Sequence, residues 1–278
     1  GPTVQRERMA LANMSQQPIG VFDSGIGGLT VLKELLARLP NETFVYFGDT
    51  ARVPYGNKSA DTVRRFSSEN VKLLLERGVK MVVVACNTAT ADALPQLVSE
   101  FTLPIIGVIQ PGVRAALAAT RNDKIGVIGT SGTIRSMAYQ NAILAVKPDA
   151  RVTSKACPLF VPLVEEGWTD TPVTRLVVEE YLKGYKNLGI DTLVLGCTHY
   201  PLLKPVIASL LGDGVTLVDS AVEISREVAV VLDQHKLASK GPGGRFDIIL
   251  SDTSPTFAEI ASRFLGRRAP EIELVSVR

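Results

Sequence analysis

Cysteine, histidine and tryptophan are scarce in this chain: three, two and one among 278 residues. Three cysteines, odd in number and far apart, exclude a disulfide framework. No Cys-x-x-Cys pair occurs, so a thiol-redox motif and a zinc ribbon are both absent. With only two histidines, no metal site is expected. No apolar run is long enough to cross a bilayer, so no membrane partner is expected. Charge of one sign is also lacking: 30 Lys and Arg face 28 Asp and Glu, a net charge of +2. Without a clustered basic face, a nucleic-acid partner is not expected. Residues 1–17 are polar and carry no apolar secretory segment, which points to a cytoplasmic protein. Gly1-Pro2 reads as the remnant of a cleaved tag, residues 1–17 as a flexible N-terminus, and Met9 or Met14 as a natural start.

What the chain does have is apolar residues, 46% of the total, enough for a sizeable core. They fall in short continuous runs separated by helical patterns, the signature of buried parallel strands in an α/β fold. The runs predict strands at 19–22, 43–48, 81–85, 105–109, 124–129, 151–156, 192–196, 216–218, 246–250 and 271–275. Helical periodicity is clearest at 29–39 and 60–77, with Ser59 as a cap for the second. Segments 172–188, 201–211 and 221–239 also fit helices.

The chain echoes itself. Ile19-Gly20-Val21-Phe22-Asp23-Ser24-Gly25 resembles Ile125-Gly126-Val127-Ile128-Gly129-Thr130-Ser131-Gly132. The apolar run ending at Cys86 resembles the run ending at Cys197. The two echoes are spaced 106 and 111 residues apart, in the same order. Two similar lobes in one chain account for this better than a short-period solenoid. The expected fold class is therefore α/β, with two similar lobes, each a mainly parallel sheet flanked by helices. The active site is expected in the cleft between them. Residues 18–110 form the first part of lobe 1, 111–222 form lobe 2, and 223–278 return to lobe 1.

Ligands of open parallel sheets bind at the carboxyl ends of strands. Four strings sit there. Asp23-Ser24-Gly25-Ile26-Gly27-Gly28 follows a strand and opens a helix, where free N–H groups suit a small anion. A plain capped turn is an equal alternative. A dinucleotide fingerprint fails because Thr30 stands where a third glycine is needed. Pro54-Tyr55-Gly56 alone reads as an ordinary turn. Cys86-Asn87-Thr88 and Cys197-Thr198-His199 each place a thiol beside polar groups. A lone cysteine there is usually a buried small hydrophobe, but matching positions in both halves favour a shared role. His199 is a proton partner for Cys197 or a satisfied structural histidine. Of Glu165 and Glu166, beside a strongly apolar stretch, one could point into a cleft and orient a histidine; solvated helix residues are the alternative. Cys157 is expected in the core and His235 on the surface.

Two thiols facing one cleft can take a proton from one side of a carbon and return one from the other. With reacting atoms roughly 3–3.5 Å apart on each side, the sulfurs would lie about 6–7 Å apart, too far for a disulfide. A thiol-redox protein and a two-lobed amino-acid binding protein are the rivals. Neither needs twin isolated thiols.

Taken in order, Phe22 to Leu29, Pro54-Tyr55-Gly56, Ala85-Cys86-Asn87-Thr88-Ala89-Thr90, Pro162-Leu163-Val164-Glu165 and Gly196-Cys197-Thr198-His199-Tyr200-Pro201 resemble the bacterial glutamate racemases. The resemblance implies a cofactor-free isomerase that interconverts L- and D-glutamate and supplies D-glutamate for peptidoglycan. It implies Cys86 and Cys197 as acid/base thiols, Asp23 assisting the first, and His199 with Glu165 assisting the second. Cys86 would serve the D-isomer and Cys197 the L-isomer. Asp23, Ser24, Tyr55, Gly56, Asn87, Thr88, Thr198 and His199 would hold the substrate. It also suggests a homodimer. Aspartate racemases look similar around the first cysteine but usually lack the His-Tyr-Pro continuation that follows Cys197.

Overall fold

The computed structural model describes residues 1–277. Ten strands form two sheets: β1 (Ile19–Asp23), β2 (Phe44–Gly48), β3 (Met81–Val84), β4 (Ile105–Gly107), β5 (Lys124–Gly129), β6 (Arg151–Ala156), β7 (Thr192–Gly196), β8 (Thr216–Asp219), β9 (Phe246–Leu250) and β10 (Ile272–Leu274). Twelve helices accompany them: α1 (Pro2–Ser15), α2 (Leu29–Arg38), α3 (Ala60–Glu76), α4 (Asn87–Glu100), α5 (Ile109–Ala119), α6 (Ser131–Ser136), α7 (Ala138–Val146), α8 (Phe160–Glu165), α9 (Pro172–Leu182), α10 (Lys204–Leu211), α11 (Ser220–Gln234) and α12 (Phe257–Leu265).

One sheet has the order β10-β9-β2-β1-β3-β4 and the other β6-β5-β7-β8. Every pairing is parallel. The run β2-β1-β3-β4 has the same order as β6-β5-β7-β8, so the two echoes reflect two similar lobes. Strands β1, β2, β3 and β7 are buried along their whole length, which is why they read as continuous apolar runs. Strands β9 and β10 join the first sheet after α11, which packs against both α2 and α5. One apolar cluster spans both lobes, from Leu29 and Leu32 to Leu193, Leu195 and Tyr200.

Several boundaries differ from the sequence expectation. The fourth strand stops at Gly107 because Val108 turns into the helical region and caps α5. Segment 172–188 is α9 followed by a separate short turn at Tyr185–Asn187. Segment 201–211 begins as a tight turn at Tyr200–Leu203. Pro205, lacking an N–H, then opens a new helix in its first turn. Helix α11 stops at Gln234, where His235 caps it and Lys236 takes a left-handed backbone. Ser59 caps α3 as expected, its hydroxyl accepting from the Thr62 N–H at 3.2 Å. The N-terminal stretch read as flexible forms α1, whose good helix formers follow Pro2; none of its residues is buried. Cys157 is fully buried and His235 exposed.

Candidate active site

The carboxyl ends of both sheets meet across a cavity of about 240 Å³. Asp23 ends β1, and Cys86 follows β3. Thr130 follows β5, and Cys197 follows β7. In the repeated strand order, β3 and β7 are equivalent, so the two cysteines occupy equivalent places on facing lobes. All eleven residues singled out from the sequence line this cavity: Asp23, Ser24, Tyr55, Gly56, Cys86, Asn87, Thr88, Glu165, Cys197, Thr198 and His199. All three cysteines are free thiols.

Each thiol has its own surroundings. Cys86 caps α4, its sulfur accepting from the Ala89 N–H at 3.4 Å. Burial pushes its pKa up to about 12, and the nearby Asp23 charge pushes the same way. Asp23 is itself buried, which raises its pKa against the pull of backbone donors and of His199. Its Oδ2 accepts from the Gly28 N–H at 2.9 Å and the Gly25 N–H at 3.3 Å. The free N–H groups expected to suit an anion at this glycine-rich turn are thus partly spent on Asp23.

Cys197 lies 3.8 Å from His199 Nδ1, and His199 Nε2 lies 2.9 Å from Glu165 Oε1. A carboxylate, an imidazole and a thiol therefore stand in line. Burial opposes charge on His199, but its hydrogen bonds to Cys197 and Glu165 outweigh burial and raise its pKa to about 10. A protonated His199 presents a positive charge to the Cys197 sulfur.

The lobes also touch across the cavity. Thr88 Oγ1 lies 2.8 Å from Thr130 Oγ1 and 3.1 Å from Thr133 Oγ1. The Tyr139 hydroxyl donates to Asn87 Oδ1. Thr30 Oγ1 donates to the Thr198 carbonyl at 3.0 Å.

Tyr55 is fixed from behind. Its hydroxyl donates to Asp49 and accepts from Asn70 Nδ2 at 2.9 Å. Asp49 also holds Arg52 Nε at 2.7 Å and the Ser251 hydroxyl at 2.8 Å. The Pro54-Tyr55-Gly56 segment is thus an anchored wall of the cavity rather than an ordinary surface turn.

Sequence reasoning did not single out Thr130 and Ser131 as site residues, yet both line the cavity. The signal was present: at the echo's spacing of 106 residues they stand where Ser24 and Gly25 stand in the first copy. Val53, Asn57, Pro158 and Val161 also line it, and no motif marked them. Among the described residues, no Lys or Arg lines the cavity. An anionic ligand there would be held by hydroxyl and N–H donors.

These elements define a two-lobed α/β enzyme whose cleft carries one thiol from each lobe. The Asp/Glu/Hydantoin racemase family model matches residues 19–227. A glutamate racemase of Geobacter metallireducens is 51% identical over 265 residues, covering 95% of this chain and 98% of that protein. The crystal structure of glutamate racemase from Thermus thermophilus in complex with beta-chloro-D-alanine matches at a TM-score of 0.85 and 46% identity, covering 95% of this chain and 98% of the other. Glutamate racemase from Francisella tularensis in complex with D-glutamate matches at a TM-score of 0.88 and 39% identity, covering 94% and 98%. The chain belongs to the Asp/Glu/Hydantoin racemase family and is an isomerase.

Proposed function

We propose that this protein is a cofactor-independent glutamate racemase that works by two bases, Cys86 and Cys197. The observation that carries the reading is the placement of these thiols at equivalent strand ends of two facing lobes, both on the wall of one cavity. Relatives about half identical to this chain and named glutamate racemase support glutamate as the substrate.

The resting ionisation suits the L-isomer. Burial holds the proton on Cys86, while His199 Nδ1 stands 3.8 Å from the Cys197 sulfur, placed to take its proton and return it. The Cys197 thiolate takes the α-proton of L-glutamate. The electron pair left on the α-carbon spreads into the α-carboxylate. The Cys86 S–H then delivers its proton to the opposite face, giving D-glutamate. This leaves Cys197 as thiol and Cys86 as thiolate, the state that receives the D-isomer. Proton exchange with solvent through Asp23 and the His199–Glu165 pair resets it. Hydroxyls of Ser24, Thr88 and Thr198 and the N–H groups opening α4 stabilise the developing negative charge. Tyr55-Gly56 and Asn87 complete the substrate's enclosure.

In this reading lobe 1 comprises residues 18–110 with 223–278, and lobe 2 comprises 111–222. Strand membership of the two sheets supports that division. The product D-glutamate serves peptidoglycan synthesis in the cytoplasm, and the working form is a homodimer. No helix among the described residues is long and apolar enough to cross a membrane.

The test is the circular dichroism of L-glutamate over time with purified protein, reductant and no added cofactor. Decay to zero is expected. A flat trace with L-glutamate, together with decay with L-aspartate, would overturn the substrate; flat traces with both would overturn the activity.

A further inference from the structure

The Glu165–His199 pair belongs to lobe 2, yet two of its supports come from lobe 1. Helix α8 ends at Glu165. The carbonyls of a helix's last turn have no partner within the helix. The Glu165 carbonyl accepts from Arg263 Nη1 of α12 at 2.9 Å. A cation at a helix's carboxyl end is also favoured by the helix dipole. The guanidinium lies against the turn just beyond. Gly167 there has a φ of 79°, and a Cβ on it would fall 2.9 Å from Arg263 Cζ. The next residue of α12, Phe264, is buried and meets the His199 ring edge-on, with centroids 5.1 Å apart at 79°. One helix of lobe 1 therefore grips both the backbone that carries Glu165 and the ring that Glu165 bonds.

We infer that Arg263 and Phe264 are positioning residues for the second acid/base thiol: from lobe 1 they hold Glu165 and His199 in line with Cys197. The inference rests on the two-base reading. It makes the Cys197 half-reaction depend on docking of α12, whereas Asp23 and Cys86 are held within their own lobe by the turn at 23–28 and the start of α4. The two proton transfers therefore differ in what keeps them aligned.

The test uses Arg263→Ala, Arg263→Lys and Phe264→Leu in the full-length protein, with melting curves to confirm folding. Initial rates are measured with α-protiated and α-deuterated glutamate of each hand. Arg263→Ala is expected to lower kcat/KM about tenfold, the scale of one lost charge-assisted hydrogen bond, and Arg263→Lys to restore part of it. If the Cys197 step has become slower, the substrate isotope effect rises for the L-isomer, whose C–D bond breaks at Cys197. It falls for the D-isomer, whose C–D bond breaks at Cys86. General loosening of the fold would move both the same way. Phe264→Leu is expected to show the same opposite movement, more weakly. Unchanged rates, or isotope effects that move together in both variants, would overturn the inference while wild-type racemization leaves the proposed activity standing. If the wild-type protein racemizes neither hand, the two-base reading itself fails.

Discussion

A Cβ on Gly27 would lie 2.4 Å from His199 Cε1 and 2.5 Å from Nδ1. The turn of lobe 1 that follows β1 thus runs directly against the imidazole of lobe 2. The same Cβ would lie 2.4 Å from Thr198 Oγ1, so two neighbouring side chains of lobe 2 press on this glycine. This glycine permits a close approach between lobes. Gly27→Ala is expected to push His199 away from Cys197 or part the lobes. A loss of about tenfold or more in kcat/KM should result, from misplacement at the site. Steady-state kinetics beside a melting curve checks this: full activity would show that the ring moves without consequence.

The two thiols should fail separately and equally. Cys86→Ser or Cys197→Ser removes one of two obligatory proton carriers, and a fall of about a thousandfold in kcat/KM is expected for each. Both variants should still bind D-glutamate, seen as a raised melting temperature. Cys157→Ala is the control. That thiol is buried beneath Tyr200, whose hydroxyl donates to the Cys157 carbonyl, and it does not line the cavity. Its loss should leave turnover near wild type.

Proton binding to His199 links the site to stability. The folded pKa is raised to about 10 from an ordinary value of 6.5, so the folded protein binds this proton more tightly than the unfolded chain. That stabilisation is present in full below the unfolded value. It shrinks as pH climbs between the two values and is lost above the folded one. The charged or titratable groups facing the ring are Cys197, Glu165 and Asp23. Urea midpoints should therefore fall between about pH 7 and about pH 9.5, and fall less steeply in His199→Gln. Parallel slopes in the two proteins would show that His199 does not carry the effect.

A second buried network, far from the cavity, should govern stability alone. Lys80 Nζ donates to Glu42 Oε2 at 2.7 Å, to the Ser15 carbonyl at 2.6 Å and to the Leu237 carbonyl at 2.7 Å. Glu42 Oε1 accepts from the Ser239 N–H at 2.7 Å. The side chains of Lys80 and Glu42 are 0% and 4% exposed. Lys80→Met leaves a buried carboxylate without its cation and should cost about 3–5 kcal/mol in denaturant unfolding. Lys80→Met with Glu42→Leu should recover much of that loss, because no lone charge remains. Failure of the pair to recover would point to the backbone tethers at Ser15 and Leu237 instead.

Strands β1, β2, β3 and β7 were legible because strands buried on both faces must be apolar throughout, and a run of four or five such residues needs no partner to be recognised. Most boundaries that moved did so at helix ends. There capping and proline chemistry decide the last turn, as at Val108, Pro205 and Lys236. The strings around Asp23, Cys86 and Cys197 were readable for the same reason as the strands: each sits just past a buried run, where parallel sheets place ligands. Thr130 and Ser131 were readable only in part, since an echo shows that two segments are alike but not that both face the same cavity.

The sequence by itself determined the alternation of strands and helices, the duplication and the placing of Cys86 and Cys197 just past matching buried runs, because these depend on local pattern. Tertiary structure decided the 2.9 Å contact by which Glu165 meets His199 across 34 positions of chain, a pairing that local pattern does not encode and only the family resemblance implied. It also decided that Gly27 is small for the sake of an imidazole on the other lobe, and that Arg263 reaches back to the end of α8. Contacts of this kind depend on how two sheets dock, and no periodicity in one segment encodes the side chain that will stand opposite it.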